Sequence, residues 1–424
     1  ASTMKRQRDV AKAAEDGEAA PSDADMARLL GKNVLKGMRE IQHMKDESVG
    51  SKPLVWVDCD PGGDDCFALM WLFALQNKGH CNVVGISTSE GNVRAPLTYA
   101  AADKVSMICQ AKAQICAQTP LHARFGTREE RRQARLQVKK EASESRGGDA
   151  SHIHGTDGMG GLSHRMHGSG NEYEDAAESY EALSDALFRY PRQLVLLVIG
   201  PHTNLHDAEK HEPGIMMLTR DIITMGGAFN VHGNITPNAE FNIWKDPEAA
   251  QTVIQGKGKK SIMILPLDVT SKMVLTKDLV DQMTRQATTI DPDSLYTCDV
   301  TGKAAFLNDL AQFMIKSNMG FRCTKGQTGF LVHDASTVAF LFYPELVSFK
   351  RASVKISSAD EGGTRGFTYF DQRHHPKLGG GCWVAMDIDA DWAAVMVQDL
   401  MCEYNDQQLQ TRMKHFTDIH PVQW

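Results

Sequence analysis

The chain has 424 residues, 53 acidic against 46 basic, for a formal net charge of -7; that balance argues against a dedicated nucleic-acid binder. No apolar run approaches the ~18 residues that cross a bilayer, and the first residues lack the apolar core of a signal peptide, so a cytoplasmic protein without membrane contact is expected. Nine cysteines, among them Cys59, Cys66, Cys81, Cys109, Cys116 and Cys298, show no paired CxxC spacing and sit mostly among apolar neighbours. They read as reduced core thiols, not as a disulfide framework or a zinc site.

In chain order, Ala1, Ser2 and Thr3 precede Met4 and read as a cloning remnant. Residues 4–22 are charged and Ala-rich, which predicts disorder, and Lys5, Arg6 and Arg8 read as a short solvated charge run. Met26, Leu29, Leu30, Val34, Leu35, Met38 and Ile41 recur at spacings of three and four and predict an amphipathic helix over 23–45. Residues 1–50 are thus an extension before a domain at 51–406, followed by a tail at 407–424.

A strand at 53–57, a helix at 65–76 and a strand at 82–87 form a βαβ unit, which implies a parallel sheet with ligands gathered at the carboxyl ends of its strands. The helix carries Phe67, Ala68, Met70, Trp71 and Leu75 as its apolar side. A helix at 97–111 and a strand at 113–116 lead to a charged stretch at about 124–151, read as a solvated, partly helical insertion. The glycine-rich stretch 151–161 holds His152 and His154; a substrate-facing or lid-forming loop fits it better than a metal pair.

Beyond it the pattern predicts a helix at 176–190, strands at 193–200, 221–225 and 261–267, and helices from Pro247, at 277–286 and at 304–318. His333 and Asp334 head an apolar helix, residues 349–391 alternate like strands, and 392–404 reads as a closing amphipathic helix. The fold class expected is α/β: one large domain with a mostly parallel, Rossmann-like central sheet flanked by helices, its active site at the C-terminal strand ends.

The densest chemistry lies in the first turn. Asp58, Asp60, Asp64 and Asp65 fall within eight positions where a buried strand gives way to Pro61-Gly62-Gly63. Charges out of water need a partner or a proton, and carboxylate oxygens suit a hard divalent cation. Helix capping would account for Asp64 and Asp65, but not for all four acids. Downstream, the amides and the carboxylate of Asn234, Glu240 and Asn242 suit a ligand with several hydroxyls, although a network of Asx turns would look the same.

The motifs DCDPGGDD, EGN, HIHGTDGMGG, GPHTN, AEFN and VHDA stand in the order, and at roughly the spacing, seen in the nucleoside hydrolases. From about Val55 to Glu403 the chain resembles an inosine-uridine preferring nucleoside N-ribohydrolase. The resemblance implies Ca²⁺ held by Asp60, Asp65, Asp334 and the carbonyl of Ile199, where the family usually has Thr. It further implies that Asp64, Asn92, Asn234, Glu240, Asn242 and Asp334 bind the ribose hydroxyls of a ribonucleoside, with Met225 packed on the sugar and Asp58 supporting the turn from behind.

Hydrolysis to free base and ribose would follow with Asp60 as general base toward a Ca²⁺-bound water, and with His333, or the loop residue His154, assisting the leaving base. A homodimer or homotetramer and a role in purine salvage are also implied. Purine-selective members stack the base on aromatic rings, for which Trp244 or Trp383 could serve, although buried tryptophans are more often core. Two rival readings are a dehalogenase-type phosphatase, which the Pro-Gly-Gly-Asp-Asp continuation disfavours, and a ribose-binding protein without catalysis. Every expected metal and ribose ligand is present, which speaks against the latter.

Overall fold

Leu54–Cys59 is apolar up to Asp58 and forms strand β1, buried along almost its whole length. In a computed structural model covering residues 52–144, 150–256, 261–285, 294–320, 322–370 and 381–403, this strand lies within one nine-stranded sheet. β2 (Asn82–Thr88), β3 (Gln114–Ala117) and β4 (Ala177–Glu178) extend the sheet on one side of β1. On the other side come β5 (Leu194–Val198), β6 (Asp221–Met225) and β7 (Ile262–Leu265), and then β9 (Cys382–Ile388) and β8 (Val347–Ala352).

The order is therefore β8-β9-β7-β6-β5-β1-β2-β3-β4, parallel throughout except for the edge pair β8 and β9. The expected α/β fold with a mostly parallel, helix-flanked sheet is what forms. The chain runs outward from β1 to β4, then restarts beside β1 at β5. Strand order reverses at that point, and in open α/β sheets the crevice outside the carboxyl ends of such strands is where ligands bind.

Alternation along β1 sends Val55, Val57 and Cys59 into the core on one face and Trp56 into the core on the other. Helix α1 (Gly63–Asn77) leaves the acidic turn and is buried all round from Gly63 to Leu75. It has no solvent side because α10 (Ala335–Phe342) and α11 (Trp392–Glu403) pack over it. Asp399 of α11 ties the three together by accepting hydrogen bonds from Trp71 Nε1 at 2.9 Å, Lys78 Nζ at 2.8 Å and Tyr343 Oη at 2.7 Å. The closing helix is amphipathic as expected, with Ala394 and Gln398 half-buried and the rest of 392–400 buried against the core.

Three expectations change. Ala177 and Glu178, expected inside a helix, pair with Cys116 and Ala117 as β4; that helix begins only at Ser179. The charged insertion forms a helix over Arg128–Glu144, and it is anchored as well as solvated. Arg135 is only 3% exposed and donates to Glu178 at 2.9 Å and to the carbonyls of Ala117 and Ala176, both at 2.5 Å. Among the cysteines, Cys323 is exposed and Cys298 half-buried, whereas the other described cysteines are buried free thiols. The expected extension at 1–50, with its helix at 23–45, and the tail at 407–424 lie outside the described residues.

Candidate active site

Four parts of the site hang from strand ends. Asp60 follows β1, Asn92 follows β2, Ile199 follows β5 and Met225 ends β6. Asp334 precedes α10, and Glu240 and Asn242 open the short helix Phe241–Lys245. Asp64, Asn92, Ile199, Met225, Glu240, Asn242 and Asp334, together with His152, His154 and His333, border a cavity of about 500 Å³; Asp60 is fully buried beside it. A cavity of about 600 Å³ elsewhere is lined in part by Arg131, Arg132 and Arg135, which pair with Glu181, Asp175 and Glu178; it holds none of the predicted site residues.

The acidic turn is held by backbone amides. Asp65 Oδ2 accepts the Gly62 N–H at 2.9 Å and the Asn92 side-chain amide at 3.1 Å, and Asp60 Oδ2 accepts the Asn92 backbone N–H at 2.7 Å. Capping thus accounts for one oxygen of Asp65. The other oxygens, Asp60 Oδ1 and Asp65 Oδ1, are buried and face no hydrogen-bond donor. Glycine is required around Asp60: a Cβ on Gly91 would overlap its Oδ2, and one on Gly200 would stand 2.7 Å from its Oδ1.

Asp64, Asp65 and Asp334 bring carboxylate oxygens within 4.8 Å of one another. Asp334 sits at the N-cap of α10 without capping it through its side chain, so helix capping does not explain this acid. Three buried carboxylates this close repel one another, which favours a proton or a cation among them. Burial, with the charge of Asp64 adding to it, pushes Asp65 up to about 8. Burial and the neighbouring acids, Asp65 for Asp60 and Asp64 for Asp334, also hold Asp60 and Asp334 well above the carboxylate range. Hard oxygen donors, two of them orphaned in a buried site, fit a divalent cation of the Ca²⁺ or Mg²⁺ type.

The grouping differs from the sequence assignment in one respect. Asp64, which the resemblance gives to the sugar, stands in the tight three-carboxylate cluster. Asp60 lies below the cavity floor, fully buried, and is not one of the three. Behind the turn, Asp58 Oδ1 accepts from Asn204 at 2.7 Å and from Ser87, and burial raises its carboxyl to about 7. The Ile199 carbonyl accepts the Asn242 side-chain amide at 3.0 Å, and the same amide reaches Met225 Sδ at 3.6 Å.

Glu240 is largely committed to structure. Its Oε1 accepts the Asn242 N–H at 2.8 Å, and its Oε2 accepts those of Gly227 and Ile243, both at 3.1 Å. Asn234 is exposed at the cavity rim and accepts the Phe241 N–H at 2.8 Å. The predicted His152–His154 loop is a one-turn helix, Ser151–His154. His154 is buried there, its Nδ1 accepting the Gly63 N–H at 2.9 Å, which leaves Nε2 to carry the proton of the neutral ring. Burial lowers the pKa of both His154 and His333 against the pull of Asp64.

His333 is half-buried, with Nδ1 2.8 Å from Thr270 Oγ1. Sequence reasoning missed Thr270, because a threonine in an apolar stretch carries no signal until the fold sets it beside a histidine. It also missed Phe241, the cavity's one aromatic among the described residues, and Asn318. Trp383 is a buried core residue and Trp244 lies outside the cavity lining, so neither indole meets a ligand bound here.

The profile of the inosine-uridine preferring nucleoside hydrolases matches residues 55–394. The chain belongs to that family. An uncharacterised protein of Schizosaccharomyces pombe is 29% identical over 72% of this chain and 80% of its own length. The pyrimidine-specific ribonucleoside hydrolase RihB of Escherichia coli is 27% identical over 83% of this chain and 98% of its own. In fold, the purine-preferring ribonucleoside hydrolase of Gardnerella vaginalis superposes with a TM-score of 0.65 at 23% identity, over 83% of this chain and 99% of that one. This nucleoside hydrolase is thus similar to relatives that differ among themselves in the base they favour.

Proposed function

We propose that the chain hydrolyses the N-glycosidic bond of ribonucleosides to free base and ribose. The observation that carries this is the buried carboxylate cluster at the strand-order reversal, with the orphaned oxygens Asp60 Oδ1 and Asp65 Oδ1. Asp60, Asp65, Asp334 and the Ile199 carbonyl would hold Ca²⁺, with Asp64 close enough to adjust; when bound, the ion orients a water and lowers its pKa. Asp60 removes the proton from the attacking water.

Departure of the base leaves an oxocarbenium-like C1′, and the negative field of Asp64, Asp334 and Glu240 stabilises it. Asn92, Asn234, Asn242 and the same carboxylates take the ribose hydroxyls, while Met225 packs on the sugar. His333 donates to the leaving base, with neutral His154 offering Nε2–H beside it. A hydrolase domain at 51–406, a cytoplasmic location, a homodimer or homotetramer and a place in nucleoside salvage, purines included, complete the reading. The test is release of reducing sugar from inosine, guanosine, adenosine, uridine and cytidine. Ribose in step with free base is expected from at least one; none from any of them, with Ca²⁺ present, overturns the reading in favour of a ribose-binding protein.

A further inference from the structure

Asn318 lies near the C-terminal end of the helix Val300–Gly320 and lines the same cavity as the carboxylates. It is only 3% exposed. Its Oδ1 accepts the Leu331 backbone N–H at 3.1 Å, which settles the amide orientation and makes Nδ2 the free end. That Nδ2 is buried and has no hydrogen-bond partner. Buried polar groups are nearly always paired, and an exception beside a cavity is a place where a ligand supplies the missing partner.

The surroundings fit a donor's role. The helix bearing Asn318 packs on the Ser151–His154 turn, where Ser317 Oγ donates to the His152 carbonyl at 3.2 Å. Lys325, which can only donate, and His154 and His333, whose neutral rings each carry one N–H, border the cavity with it. The carboxylates of Asp64, Glu240 and Asp334 line the same cavity, with His154 Nδ1 3.7 Å from Asp64 Oδ1 and His333 next to Asp334 in the chain. A ligand with both hydroxyls and acceptor atoms would find partners for each in this one cavity.

We propose that Asn318 is a specificity-determining residue that donates Nδ2–H to an acceptor on the nucleobase, favouring bases that present a carbonyl oxygen there over bases that present an exocyclic amine. This rests on the ribonucleoside reading above. A site built to donate to a carbonyl leaves its donor unpaired when an amine replaces it.

The test is kcat/KM for inosine, adenosine, uridine and cytidine in the wild type, in Asn318→Asp and in Asn318→Ala, with melting curves on each. Asn318→Asp keeps the acceptor for the Leu331 N–H and turns the donor into an acceptor; Asn318→Ala removes the donor without adding charge. The wild type is expected to favour inosine over adenosine and uridine over cytidine. Both variants should lose about 10-fold to 100-fold on inosine and uridine, the size of one lost buried hydrogen bond, and far less on adenosine and cytidine. Equal losses on all four substrates, an unchanged preference in folded Asn318→Asp, or a wild type that favours the amino bases would overturn the proposal. No ribose from any substrate in the wild type would instead sink the hydrolase reading, and this inference with it.

Discussion

Burial raises the carboxyl of Asp65 to about 8 and that of Asp58 to about 7, so the metal-free site holds protons at neutral pH. An acid whose pKa is raised by folding stabilises the fold fully below the ordinary carboxylate range, and that contribution fades as pH climbs through the raised value. Metal-free protein should therefore melt lower at pH 8.5 than at pH 6. Calorimetric titration with Ca²⁺ at pH 7, in buffers of different ionisation enthalpy, should register proton release on binding. A metal-free melting point that rises between pH 6 and 8.5, or uptake without proton release, contradicts this electrostatic picture. Thr270 belongs to the same scale, since its hydroxyl fixes the His333 ring through Nδ1. Thr270→Val should lower kcat by about 10-fold, within the range of a general-acid contribution, with KM little changed. A fall in KM alone would show that Thr270 does not position His333.

The insertion helix Arg128–Glu144 shows how far an element can be read from charge alone. Its pattern signals solvent, and most of it is solvated; what cannot be seen in the sequence is that Glu178, well downstream, is buried and needs Arg135. Replacing Arg135 with Ala leaves the Glu178 carboxylate buried with one partner fewer, and such a broken buried pair costs about 3–5 kcal/mol. Denaturant unfolding should register that loss, whereas Arg132→Ala, which removes an exposed pairing with Asp175, should leave the unfolding midpoint unmoved. Equal effects from the two would mean that the helix is not anchored through Arg135. The same limit explains α1 and α11. Their apolar residues were legible, but that the two pack against each other, and that Gly63–Leu75 therefore has no wet side, follows only from the tertiary arrangement. Glu178 moved from helix to strand because pairing with β3 outweighs local propensity.

At the scale of the whole molecule, the sheet order does what no single motif does. Restarting beside β1 at β5 sets Ile199 against the acidic turn, its N–H donating to the Asp58 carbonyl at 2.8 Å, and β2 brings Asn92 onto both Asp60 and Asp65. Asp334 arrives from the far end of the chain to complete the cluster with Asp64 and Asp65. The sequence made the strand ends and their acids legible because carboxylates, amides and glycines are costly there without a purpose. It did not make legible the unpaired amide of Asn318 or the Thr270–His333 contact, which depend on side chains meeting across elements. The central claim, that these carboxylates hold a cation and drive ribose release, is tested most directly by one assay. Ribose release by chelator-treated enzyme is measured before and after Ca²⁺ is returned, beside folded Asp60→Ala. Activity should vanish with the metal and return with it, and Asp60→Ala should lose about 10³-fold or more in kcat; metal-independent turnover, or wild-type turnover in Asp60→Ala, would contradict it.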